Sequence, residues 1–277
     1  MSFLAACIQL RSTESVEESL DRAEHMIRRA AAHGAELITT PENTPFLGSS
    51  FHNRALAEEE DGPIATRLAA LAEELSVYLL IGSIAEIAHD EAGHADPVRC
   101  HNSSLFFSPE GALLAKYRKL HLFDVDVAGG PQLKESEKIV AGDRVVTVET
   151  PLAKIGLSIC YDLRFPELYR ALRDEGAELI CVPSAFTLMT GKDHWHPLLR
   201  ARAIETQSYV LAPGQWGRHD RAGKRESYGH SLIVDPWGTV IADQGAGEGI
   251  SLAEIDLERV RSARASIPVS EHRRLPL

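Results

Sequence analysis

The run Lys154-Ile155-Gly156-Leu157-Ser158-Ile159-Cys160-Tyr161-Asp162 is apolar up to a cysteine, and the segment after it, Leu163 to Glu175, reads as a helix. That places a thiol at a strand-to-helix turn, where it projects into a cleft beside the backbone N–H groups of the helix start. A thiol in this setting is a candidate nucleophile, and it needs a base and a partner for the charge that develops. Two other polar residues stand just past strand ends. Glu42 follows Leu37-Ile38-Thr39-Thr40-Pro41, and Lys119 follows Leu113-Leu114-Ala115-Lys116-Tyr117-Arg118. Catalytic groups collect where strands end and loops begin. On these residues alone, Glu42 also reads as a helix-capping acid, Lys119 as one of several surface bases, and Cys160 as a buried structural cysteine.

The elements that must position these groups are legible from periodicity. Val16, Leu20, Ala23, Ile27 and Ala30 fall at helical spacing between Ser15 and His33, with Gly34 ending the helix. Phe3 to Gln9 and Ala35 to Thr40 read as strands on either side of it. Pro63 opens a second helix whose face is Ile64, Leu68, Leu71 and Leu75, and Val77 to Ile81 is a buried strand. Three pairs of runs flank turn signals. These are Ser104 to Phe107 with Leu113 to Tyr117, Val145 to Glu149 with Lys154 to Cys160, and Leu232 to Val234 with Thr239 to Ala242. A polar loop is expected from about Asp124 to Glu137, and the last twenty residues read as an Arg-rich tail. Gly34-Ala35-Glu36-Leu37-Ile38 recurs as Gly176-Ala177-Glu178-Leu179-Ile180, each copy followed two residues later by a proline. Two strand–helix–strand units of one pattern imply a pseudo-symmetric α/β fold with two mixed sheets and helices outside.

Composition narrows the function classes. A chain of 277 residues, 44% hydrophobic and 25% charged, is long enough for a large core. The net charge of −11 without a basic stripe argues against a nucleic-acid partner. No apolar stretch approaches the roughly 18 residues needed to span a bilayer, and the N-terminal apolar run has no basic region before it, so no membrane partner or secretory signal is expected. Cys7, Cys100, Cys160 and Cys181 are scattered without CxxC spacing, which points away from a disulfide framework and toward a reducing cytoplasm. His194-Trp195-His196 has His-x-His spacing, but no further ligand cluster accompanies it, so neither metal nor cofactor is expected. Gly245 to Gly249 lacks a following Lys-Ser/Thr and reads as a loop, not a phosphate cradle.

Pro41-Glu42-Asn43, Tyr117-Arg118-Lys119-Leu120-His121-Leu122 and Cys160-Tyr161-Asp162-Leu163-Arg164-Phe165-Pro166-Glu167 resemble, in order and spacing, the three signature segments of the nitrilase superfamily of carbon–nitrogen hydrolases. The similarity runs from the first strand to the Arg-rich tail. It implies a single domain over residues 1–277, a four-layer α-β-β-α sandwich and a homodimer. It also implies a Glu42–Lys119–Cys160 triad, with Glu135 matching the family's second glutamate in the loop after the lysine. In that chemistry Glu42 takes the Cys160 proton as sulfur attacks an amide carbonyl. Lys119 and the Tyr161 backbone N–H face the oxyanion.

The superfamily cuts several kinds of carbon–nitrogen bond, so fold and triad do not fix the substrate. Pro183 to Phe186, Arg200 to Gln207, Gln215 to His219 and Ser227 to Ser231 resemble the branch holding the deaminated glutathione amidases, with the omega-amidases as sisters. Phe123 to Val127 fits the sister group about as well. The Thr190-Gly191-Lys192-Asp193-His194-Trp195 segment departs from both at Lys192 and Asp193. The resemblance implies deaminated glutathione as the substrate, cut to 2-oxoglutarate and cysteinylglycine, with 2-oxoglutaramate, or another small amide or N-carbamoyl compound, as the alternative within the family; the first two share a 2-oxo acid end. Tyr161, Phe186 and Thr187 are expected to line its pocket, and Arg164, Lys192 and Arg218 are unranked candidates to meet a carboxylate. An inactive scaffold of the same fold and a Cys–His protease are the alternatives. The intact three residues speak against the first. The second lacks a histidine in a strand-end context.

Overall fold

Along β1 (Ser2–Gln9) the side chains alternate between two cores: Phe3, Ala5 and Cys7 enter one, and Ala6 and Ile8 the other. A strand apolar on both faces must lie between two layers. The computed structural model describes residues 2–48, 54–127, 132–220, 223 and 225–275. After β1 come α1 (Val16–Ala32), β2 (Leu37–Thr39), α2 (Pro63–Leu75), β3 (Tyr78–His89), β4 (Ala95–Phe107) and β5 (Leu113–Arg118). A small hairpin, β6 (Asp124–Asp126) with β7 (Gln132–Lys134), leads to β8 (Thr147–Glu149), β9 (Lys154–Leu157), α3 (Pro166–Asp174) and β10 (Leu179–Cys181). Then follow α4 (Leu188–Thr206), β11 (Tyr209–Ala212), the ribbon β12 (Trp216–Arg218) and β13 (Glu226–Tyr228), β14 (Leu232–Val234) and β15 (Val240–Asp243). The chain closes with β16 (Gly249–Asp256), α5 (Leu257–Ser266) and α6 (Val269–His272).

Two sheets have the orders β16-β1-β2-β3-β4-β5 and β8-β9-β10-β11-β14-β15. Read in that direction both follow one pattern: antiparallel, parallel, parallel, antiparallel, antiparallel. One core joins the inner faces, with Phe106 and Tyr117 from the first sheet meeting Ile155, Leu157, Leu179 and Leu211 from the second. The outer face of the first sheet is covered by α1 and α2, and that of the second by α3 and α4. The architecture is thus the expected four-layer α-β-β-α sandwich. The repeated pentapeptide begins the matching turns of the two halves. Gly34 and Gly176 sit at φ of 87° and 97°, the left-handed region that a helix C-terminus favours for glycine. Ala35 N–H then reaches the Ala30 carbonyl and Ala177 N–H the Leu172 carbonyl, closing both helices in the same way.

Several elements differ from expectation. The stretch after Cys160 is not one helix: a 3-10 turn spans Cys160–Arg164, and α3 begins only at Pro166, whose ring cannot continue the preceding turn. The polar loop contains β6 and β7 and a 3-10 turn at Glu135–Glu137; its residues 128–131 lie outside the described residues. The nineteen-residue α4 carries no helical pattern in the sequence because its buried residues Trp195, Leu199 and Ala203 recur only once per turn, among charges, Gly191 and Pro197. The expected tail begins as α5, anchored by Leu257, Val260 and Ala263. Before it, β16 pairs with all eight residues of β1. Among the described residues no helix is long and apolar enough to cross a membrane.

Candidate active site

Glu42 lies three residues beyond β2, and the close approach that places it depends on Gly82 of β3. A Cβ at residue 82 would lie 2.0 Å from the Thr40 carbonyl oxygen and 2.5 Å from that of Pro41. Glu42 is 1% exposed, so its carboxylate must be paired where it sits. One oxygen accepts Asn102 Nδ2 at 2.8 Å and Lys119 Nζ at 2.9 Å; the other accepts the Ala185 backbone N–H at 2.9 Å. Lys119 leaves β5 with its N–H bonded to the Asn102 carbonyl at 2.9 Å. Its ammonium also reaches both oxygens of Glu135 at 3.0 Å. Glu135 is held from behind by the Phe123 N–H at 2.6 Å. One buried cation thus stands between two carboxylates.

Cys160 sits at φ 49°, in the left-handed region, three residues beyond β9, with its N–H bonded to the Pro183 carbonyl at 2.9 Å. A non-glycine residue there is strained and is held by its surroundings. The holder is Asp162, fully buried, which accepts the Ile159 N–H at 2.8 Å and the Tyr117 hydroxyl at 2.7 Å. It also pairs with His121, through the backbone N–H at 3.0 Å and Nδ1 at 2.7 Å. Asp162 therefore ties the thiol's turn to the end of the strand that delivers Lys119.

The charges at this point are interdependent. Burial pushes the Cys160 thiol up, the Glu42 carboxylate hydrogen-bonded to it pushes it further, and the Lys119 ammonium opposes both; the net is well above the ordinary thiol value. Burial alone would lower Lys119, but Glu135 and Glu42 outweigh it and hold the ammonium charged. The resting arrangement is a neutral thiol beside an ion triplet, ready to lose its proton only as a bond forms.

A pocket of about 200 Å³ opens onto Cys160, Glu42, Lys119 and Glu135. Tyr161, Phe186 and Thr187 line it, and so does Arg164, one of the three cations left unranked by the sequence. The Arg164 guanidinium lies 5.2 Å from the Phe186 ring centroid and 5.9 Å from that of Tyr161, an arrangement that fixes a planar cation against the wall. Lys192 does not reach this lining. It is exposed on α4, two residues past Thr190, which does line the pocket, and two helical residues are about 200° apart around the axis. Arg218 is likewise exposed and faces Glu226 at 3.6 Å. The sequence reading missed several contributors, Arg225 and Asn102 among them. Arg225 lines the pocket; burial lowers it to about 10 against the pull of Asp220, so it remains charged at neutral pH. Asn102 had a signal that went unread: Asn102, Ser103 and Ser104 form a buried polar run inside a strand, which calls for partners. No sequence signal pointed to Arg225. His194 and His196 diverge on α4: His194 Nδ1 is 3.3 Å from Arg164, while His196 bonds to Asp243.

Residues 4–265 match the family described as carbon–nitrogen hydrolase. The chain is 42% identical over 277 residues to deaminated glutathione amidase of Synechocystis, covering 98% of each chain. It is 40% identical over 278 residues to omega-amidase NIT2 of Homo sapiens, covering 100% of this chain and 96% of that one. Among solved structures, the NitFhit protein of C. elegans superposes with a TM-score of 0.88 at 39% identity, over 99% of this chain and 65% of that longer one.

Proposed function

The chain belongs to the carbon–nitrogen hydrolase family and hydrolyses amide bonds, and on that premise we propose that it is a cysteine amidase of 2-oxo acid amides, with deaminated glutathione as substrate. The observation that carries the reading is the Lys119 ammonium held between Glu42 and Glu135 beside the Cys160 thiol. In this reading Cys160 sulfur attacks the carbonyl carbon while Glu42 accepts its proton. Lys119 and the Tyr161 backbone N–H receive the oxyanion; a donor in such a place is worth about 3 kcal/mol of barrier. Glu42 protonates the departing amine, and a thioester remains on Cys160. Water then attacks the thioester, Glu42 takes its proton, and the carboxylic acid leaves as the thiol reforms. Glu135 keeps Lys119 in place and orients the carbonyl or the water.

The walls favour one substrate of the branch. Deaminated glutathione carries two carboxylates, one on its 2-oxoglutaryl end and one on glycine, whereas 2-oxoglutaramate carries one. Besides Lys119, four cations line the pocket, Arg164, Arg225, Lys134 and Lys138, and its two carboxylates already serve Lys119, so the lining favours the more anionic substrate. Arg164 and Arg225, the two guanidinium groups among them, are assigned to the two carboxylates. The same reading makes the whole chain one catalytic domain in a reducing cytoplasm, consistent with four free cysteines. It also makes it a homodimer, in keeping with the apolar surface left by Trp237 at 60% and Ile204 at 51% exposure; sedimentation of the untagged protein tests that point.

The test is kcat/KM on deaminated glutathione, 2-oxoglutaramate and a simple aliphatic nitrile, with Cys160→Ala as the inactive control. Deaminated glutathione is expected to lead, and Arg225→Ala to narrow its lead over 2-oxoglutaramate. Equal weak rates on all three would refute the substrate, and turnover by Cys160→Ala would refute the mechanism.

A further inference from the structure

His196 of α4 meets two residues that are distant in sequence. Its Nε2 lies 2.9 Å from Asp243 Oδ2 at the end of β15. His230 Nδ1 lies 3.0 Å and 3.2 Å from the two oxygens of the same carboxylate. All three ligand-type atoms fall within 4.8 Å of one another. The edges of a four-coordinate zinc site with nitrogen and oxygen ligands are about 3.3 Å, so little movement would bring the three onto one ion. We propose that His196, His230 and Asp243 form a binding site for a divalent transition cation of zinc type, with the fourth position open to water.

The three groups are held as ligands are held. The His230 ring stacks on Tyr228 with centroids 4.4 Å apart, and its backbone carbonyl accepts Trp195 Nε1 at 2.8 Å. His230 itself stands at φ 54°, in the left-handed region. Asp243 Oδ1 also accepts the Gly245 N–H at 2.8 Å. Such supporting contacts orient ligands before an ion arrives. Two imidazoles with one carboxylate suit zinc and its neighbours better than calcium or magnesium, which take oxygen ligands. Each side chain is near 30% exposed, so an ion has a way in. The cation would tie α4 to the second sheet at β15. His-x-His spacing does not supply this site, because His194 points elsewhere.

Untagged protein carrying Cys160→Ala, which removes the reactive thiol as a competing ligand, is titrated with Zn2+ against a chromophoric chelator. One ion per chain is expected, with a rise in melting temperature of about 5 °C at a hundredfold excess over Kd. Asp243→Asn and His230→Ala should each weaken binding at least about tenfold and abolish the rise. His196→Gln serves where an alanine variant folds poorly. Co2+ in place of Zn2+ should give a four-coordinate spectrum without a sulfur charge-transfer band. No saturable binding, equal binding by all three variants, or a sulfur band would overturn the proposal.

Discussion

At the scale of single residues, the site stores its protons in an unusual order. The thiol is kept neutral by burial and by Glu42, and Lys119 is kept charged by two carboxylates. An exposed thiol titrates near about 8.5, so a parent protein in which Cys160 forms no thiolate by that pH is expected. Replacing Glu42 by glutamine removes a charge that raises the thiol and leaves Lys119 opposing it. In Glu42→Gln the Cys160 thiolate should therefore appear at lower pH, even as turnover falls by orders of magnitude. Thiolate absorbance, taken as a difference from Cys160→Ala, reads this directly; an unchanged or higher titration point would break the coupling. Asn102 positions Glu42 without reaching the substrate, so Asn102→Ala should lower kcat by about tenfold to a hundredfold with KM little changed. A KM effect alone would place Asn102 at the substrate instead. The sequence offered Cys160, Glu42 and Lys119 through their local strand-end contexts, and the resemblance of the segments around them singled them out. It could not mark Arg225, whose place in the pocket is set by how the β12–β13 ribbon folds back.

At the scale of elements, close approach and edge pairing do the positioning. Gly82→Ala would put a Cβ against two carbonyl oxygens of the segment bearing Glu42, so that segment must move. A displacement of about 1 Å at a catalytic group costs roughly a hundredfold in rate. The variant should fold, judged by its circular dichroism and melting curve, yet lose activity on that order; full activity would mean the segment is not held by β3. On the same strand, Glu86 pins the edge of the first sheet. Burial pushes its carboxyl up, but Arg118, Lys116 and Ser103 outweigh burial and hold it at about 2. Its ordinary value is near 4.3, so this stability is whole above about pH 4.5 and fades as pH falls toward 2. Glu86→Gln should cost about 3 kcal/mol in urea unfolding at pH 7, and the gap to the parent should shrink at pH 3. A gap independent of pH would assign the loss to packing. Elements with a clean helical period, such as α1 and α2, were legible, and so was β1, as a short apolar run. Those hidden were α4, whose buried stripe is one residue wide, and β16, whose partner lies at the other end of the chain.

At the scale of the molecule, the first sheet is not finished until the chain returns to it. Strands β1 to β5 are made early, the second sheet intervenes, and β16 then pairs with β1 along eight residues. The returning segment also supplies Ile255, Leu257 and Val260 to the core between the sheets. Losing a buried aliphatic side chain of this kind costs about 2–5 kcal/mol, and a whole protein is stable by only about 5–15. A chain cut after Gln244 loses all three and leaves one edge of the largely buried β1 unpaired, so it should show no cooperative melt and no amidase activity. A cut after Ile267 removes α6 and its Arg273–Asp174 pair, whose members are 34% and 30% exposed and worth at most about 1 kcal/mol. That shorter deletion should melt within about 4 °C of the parent. Melting curves of the two truncations decide the matter. A cooperative transition in the chain ending at Gln244 would mean that the first sheet closes without β16 and that the two halves fold independently.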